Sequence, residues 1–153
     1  MLHYRLSEYS DCAELAPNLR QADKDEVFAS NGLQPLEALT ISYEMTETCY
    51  TITDLEGKPI GMFGVSGNDI FGCPWMLASD GILGIQRQFL RQGREWIEQA
   101  SAEYPVLINY VHRDNHKAIR WLKFLGFTFT CLVPEYGVGK EPFYQFVRVT
   151  PNV

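Results

Sequence analysis

The chain has 153 residues, 46% hydrophobic and 21% charged, with a formal net charge of −6. That length predicts one domain over 1–153 with a sizeable core, and 13% aromatic content argues against disorder, because aromatic rings bury large areas. No apolar run reaches the roughly 18 residues that span a bilayer, the N-terminus "MLHYRLSEYS" lacks a basic n-region and apolar core, and the acidic balance disfavours nucleic acid as a partner.

"LHYRL" alternates and predicts a first strand. "SDCAELAPNLRQADKDEVFAS" predicts a helix that Pro17 kinks or splits, stopped by Asn31-Gly32. "PLEALTISYEMT" is a second helix, with Pro35 suited to its first turn. The period then changes: "TCYTITD", the turn "LEGKP" and "IGMFGV" make a strand, a hairpin connection and a strand. "FGCPWMLASD" continues the meander, with Pro74 implying an irregularity or an edge position.

From Gly84 to Tyr104 Ile85, Phe89, Trp96, Ala100 and Tyr104 fall on one helical face, and Gly93 in that arc permits close packing. Arg91 and Arg94, each four residues before a Glu, read as a solvated opposite side. "VLINYV" is a short buried strand. Asp114 or Asn115 can cap a helix that runs to Leu125 and stops at Gly126. "FTFTCLV" and "PFYQFVRV" close the order as an antiparallel pair. Strands in a meander, covered by helices, give a mixed α/β class with a largely antiparallel sheet, and the strand–helix–strand unit over 72–112 is where parallel pairing enters.

Cys12, Cys49, Cys73 and Cys131 are scattered without a CxxC pair, so no metal site or disulfide framework is expected and a reduced intracellular setting is the simpler reading. His112 and His116 are four apart, but Asp114 and Asn115 between them mark a turn and helix start, unlike ligand spacing within a helix. His116, Lys117, Arg120 and Lys123 form a basic face on the last helix, read first as solvated. Trp75, Trp121, Phe124, Phe127 and Phe129 read first as core.

Asn115, Ala118, Gly126 and Phe127 follow a pattern N-x-x-A-x(7)-G-F that resembles the GNAT superfamily of acyl-CoA-dependent N-acetyltransferases, and the element order agrees over the whole chain. More narrowly, "MFGV", "PWMLASD", "RQFLRQGREWI", "NYVHRDNHKAIRWLKFLGF" and "PFYQF" resemble a group of GNAT-like proteins from tailed bacteriophages, described as internal virion or core proteins of particle morphogenesis. The resemblance implies a GNAT-like fold, phage virion proteins or a host protein as partners, and a virion or host bacterial cytoplasm as the location. Acetyl-CoA is the one cofactor it allows. By the same resemblance Met76, Leu77, Ala78, Gly81, Gly84 and Asn115 would hold that cofactor.

The superfamily's chemistry sets three requirements. A loop of backbone N–H groups before the central helix holds the CoA pyrophosphate, usually written R/Q-x-x-G-x-G/A. Here the stretch is "LASDGILGIQ", with no Arg or Gln at its start and Asp80 expected at the N-cap. A carboxylate there would repel the pyrophosphate: two unit charges about 5 Å apart at an effective dielectric near 20 repel by roughly 3 kcal/mol. The acid that protonates the CoA thiolate, in many members a tyrosine, corresponds to Leu122, which falls in an apolar arc and reads as core. For the base, His112 is the candidate, with Tyr110 beside it, while Cys73 reads as a small buried residue. These departures lead to an expected function as a GNAT-like phage protein with a degenerate site, acting through protein contacts in virion assembly or as a minor internal virion protein. The alternatives are an active acetyl-CoA-dependent N-acetyltransferase and a modulator that binds a host bacterial protein.

Overall fold

The computed structural model describes residues 2–150. A seven-stranded sheet has the order β1-β2-β3-β4-β5-β7-β6, formed by Tyr4–Leu6, Cys49–Thr53, Pro59–Gly67, Phe71–Ala78, Val106–His112, Thr128–Tyr136 and Glu141–Val149, numbered β1 to β7 along the chain. Every neighbouring pair is antiparallel except β4 and β5. The sheet belongs to the mixed α/β class expected from the sequence.

Three helices cover one face: α1 (Tyr9–Leu15), α2 (Gln21–Asn31) and α3 (Pro35–Glu44). Pro17 splits the first predicted helix by forcing a 3₁₀ turn, Ala16–Asn18, between α1 and α2. Pro35 occupies the first turn of α3, where a missing N–H costs nothing. Cys12, Leu15 and Leu39 from these helices pack on Cys49, Met62 and Leu77 of the sheet. The opposite face is covered by α4 (Gln86–Glu103) and α5 (His116–Phe124). There Phe89, Ile97 and Trp121 meet Ile52, Ala78, Leu107 and Phe146. Gly93 supplies the close approach expected of it, since a Cβ there would lie 3.0 Å from Leu125 Cδ2.

Two sequence expectations about helix starts are corrected. A 3₁₀ turn over Asp80–Ile85 intervenes before α4, so that helix begins at Gln86. The capping residue of the turn is Ser79, whose Oγ accepts from Gly81 N–H, and Asp80 is exposed. At α5 Asn115 takes the N-cap position, yet its side chain makes no capping bond, because buried partners elsewhere claim it. Pro74 lies in the central strand β4, so of the two expectations for it the edge position is corrected and the irregularity is found, since pairing with β5 stops just before it. Among the described residues, no helix is long and apolar enough to cross a membrane.

Candidate functional site

The parallel strands β4 and β5 pair only at Phe71–Val106 and Gly72–Leu107, then part. The parting begins at Pro74. Along β4 the backbone groups point alternately to β3 and to β5. Ser79 N–H donates to Ile60 O on β3, so the even-numbered residues 74, 76 and 78 address β5. Proline has no N–H to give on that side. Continuing the register would set Pro74 opposite Asn109, and instead the Asn109 side chain inserts itself: Tyr110 N–H donates to Asn109 Oδ1 (2.9 Å) and Asn109 Nδ2 donates to Pro74 O (2.8 Å).

Two carboxylates from α2 complete the wedge. Glu26 Oε1 accepts the His112 N–H at 2.7 Å, and Asp23 Oδ2 accepts the Ala78 N–H at 3.0 Å. The Arg20 N–H donates to Ala78 O at 2.8 Å, so α2 and its first turn satisfy both backbone groups of Ala78. The exposed polar groups that a splayed strand pair creates are thus met by side chains and by the entry to α2, as buried backbone requires. Met76 lies between these wedges, and by the alternation its backbone N–H and C=O face the opening.

A cavity of about 300 Å³ runs through the opening. Its apolar wall comes from Phe89, Trp96, Trp121, Leu122 and Phe146, its polar wall from Arg20, Asp23, Glu26, Asn109 and Asn115. The polar groups form one network. Arg20 pairs with Asp23 at 3.1 Å and donates to Asn115 Oδ1 at 3.4 Å, and its guanidinium lies 5.0 Å from the Trp121 ring centroid. Asn115 Nδ2 donates to Glu26 Oε1 at 3.4 Å. Burial raises Asp23 to about 6, against the pull of Arg20 and the Ala78 N–H. Burial likewise raises Glu26 to about 7, against the His112 N–H, with the Asp23 charge adding to the rise. A carboxyl near 7 is poised to exchange a proton at neutral pH.

The residues singled out in the sequence fall in different places. Tyr110 lines the cavity, its hydroxyl accepting from Gln145 Nε2 at 2.9 Å and its ring stacked on Tyr136 at 4.4 Å between centroids. His112 faces away toward the loop before β7: Nδ1 accepts from Asp114 N–H (3.0 Å) and Nε2 lies 2.9 Å from Glu141 Oε1, which assigns the ring proton to Nε2. Met76, Leu77 and Asn115 line the cavity. Leu77 turns its backbone to β3, and the backbone groups of Ala78 are already bonded. Gly81 sits tightly on β3, where a Cβ would approach Ile60 Cγ2 to 3.0 Å, whereas Gly84 meets nothing within 4 Å. Leu122, expected as core, is half-buried and forms part of the cavity wall. Trp75, Trp121 and Phe127 also line it, while Phe124 is exposed.

Arg20, Asp23 and Glu26 were missed because their partners lie 55 to 95 residues away in sequence. A signal existed: the inward positions of α2 carry charge where a packing helix would carry aliphatic residues.

Residues 49–132, which include β2 to β5 and most of the cavity wall, match the family described as "Bacteriophage T7, probable scaffold protein Gp13". The chain belongs to that family. No curated protein sequence matches significantly. Solved structures show that the Gp13-family chain has the fold of GNAT acetyltransferases. A GNAT phosphinothricin acetyltransferase from Sinorhizobium meliloti, in complex with AcCoA, superposes with a TM-score of 0.72 at 13% identity, covering 97% of this chain and 88% of that one. Ard1 from Thermoplasma volcanium gives 0.71 at 17%, covering 99% of each. The ribosomal-protein-S18-alanine N-acetyltransferase from Escherichia coli gives 0.69 at 15%, covering 100% of this chain and 96% of that one. At these identities the likeness speaks for the fold alone. The narrower sequence resemblance thus reduces to a GNAT fold within a phage scaffold-protein family.

Proposed function

We propose that this Gp13-family protein keeps the acetyltransferase scaffold with a degenerate acetyl-CoA site and works through protein contacts in phage particle assembly, as a scaffold-type or minor internal virion component. The observation that carries the reading is the bonding of Ala78. In this fold the cofactor relies on backbone groups beside the splayed strands, and here Asp23 and the Arg20 N–H already hold both groups of Ala78. A cofactor chain entering there must break two buried bonds and leave Asp23 Oδ2 and the Arg20 N–H without their partners, while Arg20 still holds Asp23 Oδ1, at about 1–3 kcal/mol per orphaned group. Two further features support the reading. The exposed Asp80 carboxylate stands at the start of the loop that would receive the pyrophosphate, and Leu122 offers no proton. The family description supports a role in assembly.

Calorimetric titration with acetyl-CoA tests the site: no heat of binding is expected at millimolar ligand, and saturable micromolar binding would defeat the degenerate-site reading. Mass spectrometry of purified particles tests the role. The protein is expected in virions or in assembly intermediates, and its absence from both would remove the assembly role.

One observation favours a second reading, an active N-acetyltransferase. Glu26, raised to about 7, shares the cavity with Tyr110 and the backbone of Met76. On that reading Glu26 would take the proton of an acceptor amine and the Met76 N–H would meet the acyl oxygen. Acetyl transfer to an amine that disappears in Glu26→Gln, with acetyl-CoA binding retained, is the result that would establish it.

A further inference from the structure

The charge of the molecule is divided between its two helical layers. Residues 1–80 carry 13 acidic and 4 basic side chains, a net −9, and residues 81–153 carry 6 acidic and 9 basic, a net +3, which together give the −6 of the chain. The helices keep the same signs: α1 to α3, on one face of the sheet, carry seven acidic and one basic side chain, and α4 and α5, on the other, carry six basic and three acidic. On the first layer Glu14, Asp25, Glu37 and Glu44 are exposed. Of these helices, α2 and α3 also expose the apolar side chains Phe28 (58%), Leu36 (49%) and Ile41 (42%), with Met45 (69%) just past the end of α3. On the second layer Arg87, Arg91, Arg94, Lys117, Arg120 and Lys123 are exposed, with Glu95, Glu98 and Glu103 exposed among them on α4, so the positive excess lies toward α5. None of these charges takes part in a salt bridge among the described residues.

We infer that the acidic helical layer of one copy docks on the basic helical layer of the next, so that the protein self-associates head to tail. Three considerations select a second copy in that orientation. Charge complementarity is built into one chain, so the partner is always present at the same concentration. A two-fold dimer through α1 to α3, or through α5, would set like charges against one another, which costs stability and disfavours the symmetric arrangement. The aliphatic stems of Arg and Lys can cover Phe28, Leu36, Ile41 and Met45 while their charged ends meet the acids around them. Because the two contacting surfaces differ, the association is heterologous and does not stop at two copies. The inference is independent of whether acetyl-CoA binds.

Sedimentation velocity on the full chain tests it, at about 20 mM and about 500 mM salt, which span weak and strong screening. The wild type is expected to grow past the dimer with rising concentration at low salt, and association should weaken at least tenfold at high salt. The variants Arg91→Glu/Lys117→Glu/Arg120→Glu and Glu14→Lys/Asp25→Lys/Glu44→Lys should each be folded by circular dichroism and monomeric. Their equimolar mixture should associate again, since each then offers the charge the other lacks. A wild type that stays monomeric at low salt, a species that stops at two copies, association retained in both variants, or a mixture of folded variants that stays monomeric would each overturn the inference.

Discussion

Two carboxylates, Asp11 and Glu26, show how one functional group acquires opposite roles. Asp11 lies in α1 and is almost fully buried, where burial by itself would raise it. The Arg5 guanidinium at 2.8 and 2.9 Å, the Glu8 N–H and the Thr51 hydroxyl outweigh that and hold it below the usual carboxylate range. Its contribution to stability is therefore present above the unfolded value and is lost as pH falls through the lower folded value. Glu26 runs the other way. Its folded value near 7 exceeds 4.5, so the native state binds the extra proton between those limits, and stability falls as pH rises through that window. The difference corresponds to a cost of up to about 3 kcal/mol at pH 8. Glu26→Gln keeps an acceptor for the His112 and Asn115 donors, so urea denaturation should show a more stable protein at pH 8 and little change at pH 4. Parallel pH profiles for the two proteins would show that Glu26 does not titrate as described. Neither behaviour was legible in the sequence, because local spacing does not reveal which distant backbone groups a carboxylate will meet.

At the scale of elements the sequence was most informative where pattern and packing coincide. The amphipathic stretch before Gly126 became α5, the alternating tail became β6 and β7, and Pro17 broke its helix. The pyrophosphate loop was less legible. Its 3₁₀ turn displaced the cap from Asp80 to Ser79, and short 3₁₀ segments leave no periodicity to read. The contact between α2 and the β6–β7 loop was not foreseen at all. Gly139 N–H donates to Ala29 O and Val138 N–H to Ser30 O, closing the C-terminal end of α2. Gly137 makes this docking feasible: its φ is +70°, and a Cβ would meet Ser30 O, a backbone atom that cannot rotate away. Gly137→Ala should therefore cost about 2 kcal/mol. It should also speed amide exchange at the end of α2, which hydrogen-exchange mass spectrometry would detect. A variant with wild-type exchange there would mean that the loop does not hold the helix.

For the whole molecule, fold and site were legible to different degrees. The order of strands and helices indicated the class, a mixed α/β fold with a largely antiparallel sheet. The resemblance to the GNAT superfamily supplied the fold, while the insertion of β7 between β5 and β6 was not read from the pattern. The candidate site depended on which polar groups fill the gap between two strands, and those come from a helix that the sequence marked only as charged. The same holds for the division of charge between layers. Each arginine taken singly reads as solvated, and only the fold sets the positive excess of α4 and α5 on the side opposite the acids of α1 to α3. The salt dependence expected of self-association follows from that arrangement and from no individual pair.

The pyrrolidine ring of Pro74 has a consequence of its own. A strand residue without a donor cannot supply the next rung between β4 and β5, so the ladder's stop at this point is written into covalent chemistry, and the side chain of Asn109 takes the rung's place. A substitution that restored the N–H, Pro74→Ala, would return one donor to that rung without supplying the register that Asn109 now interrupts.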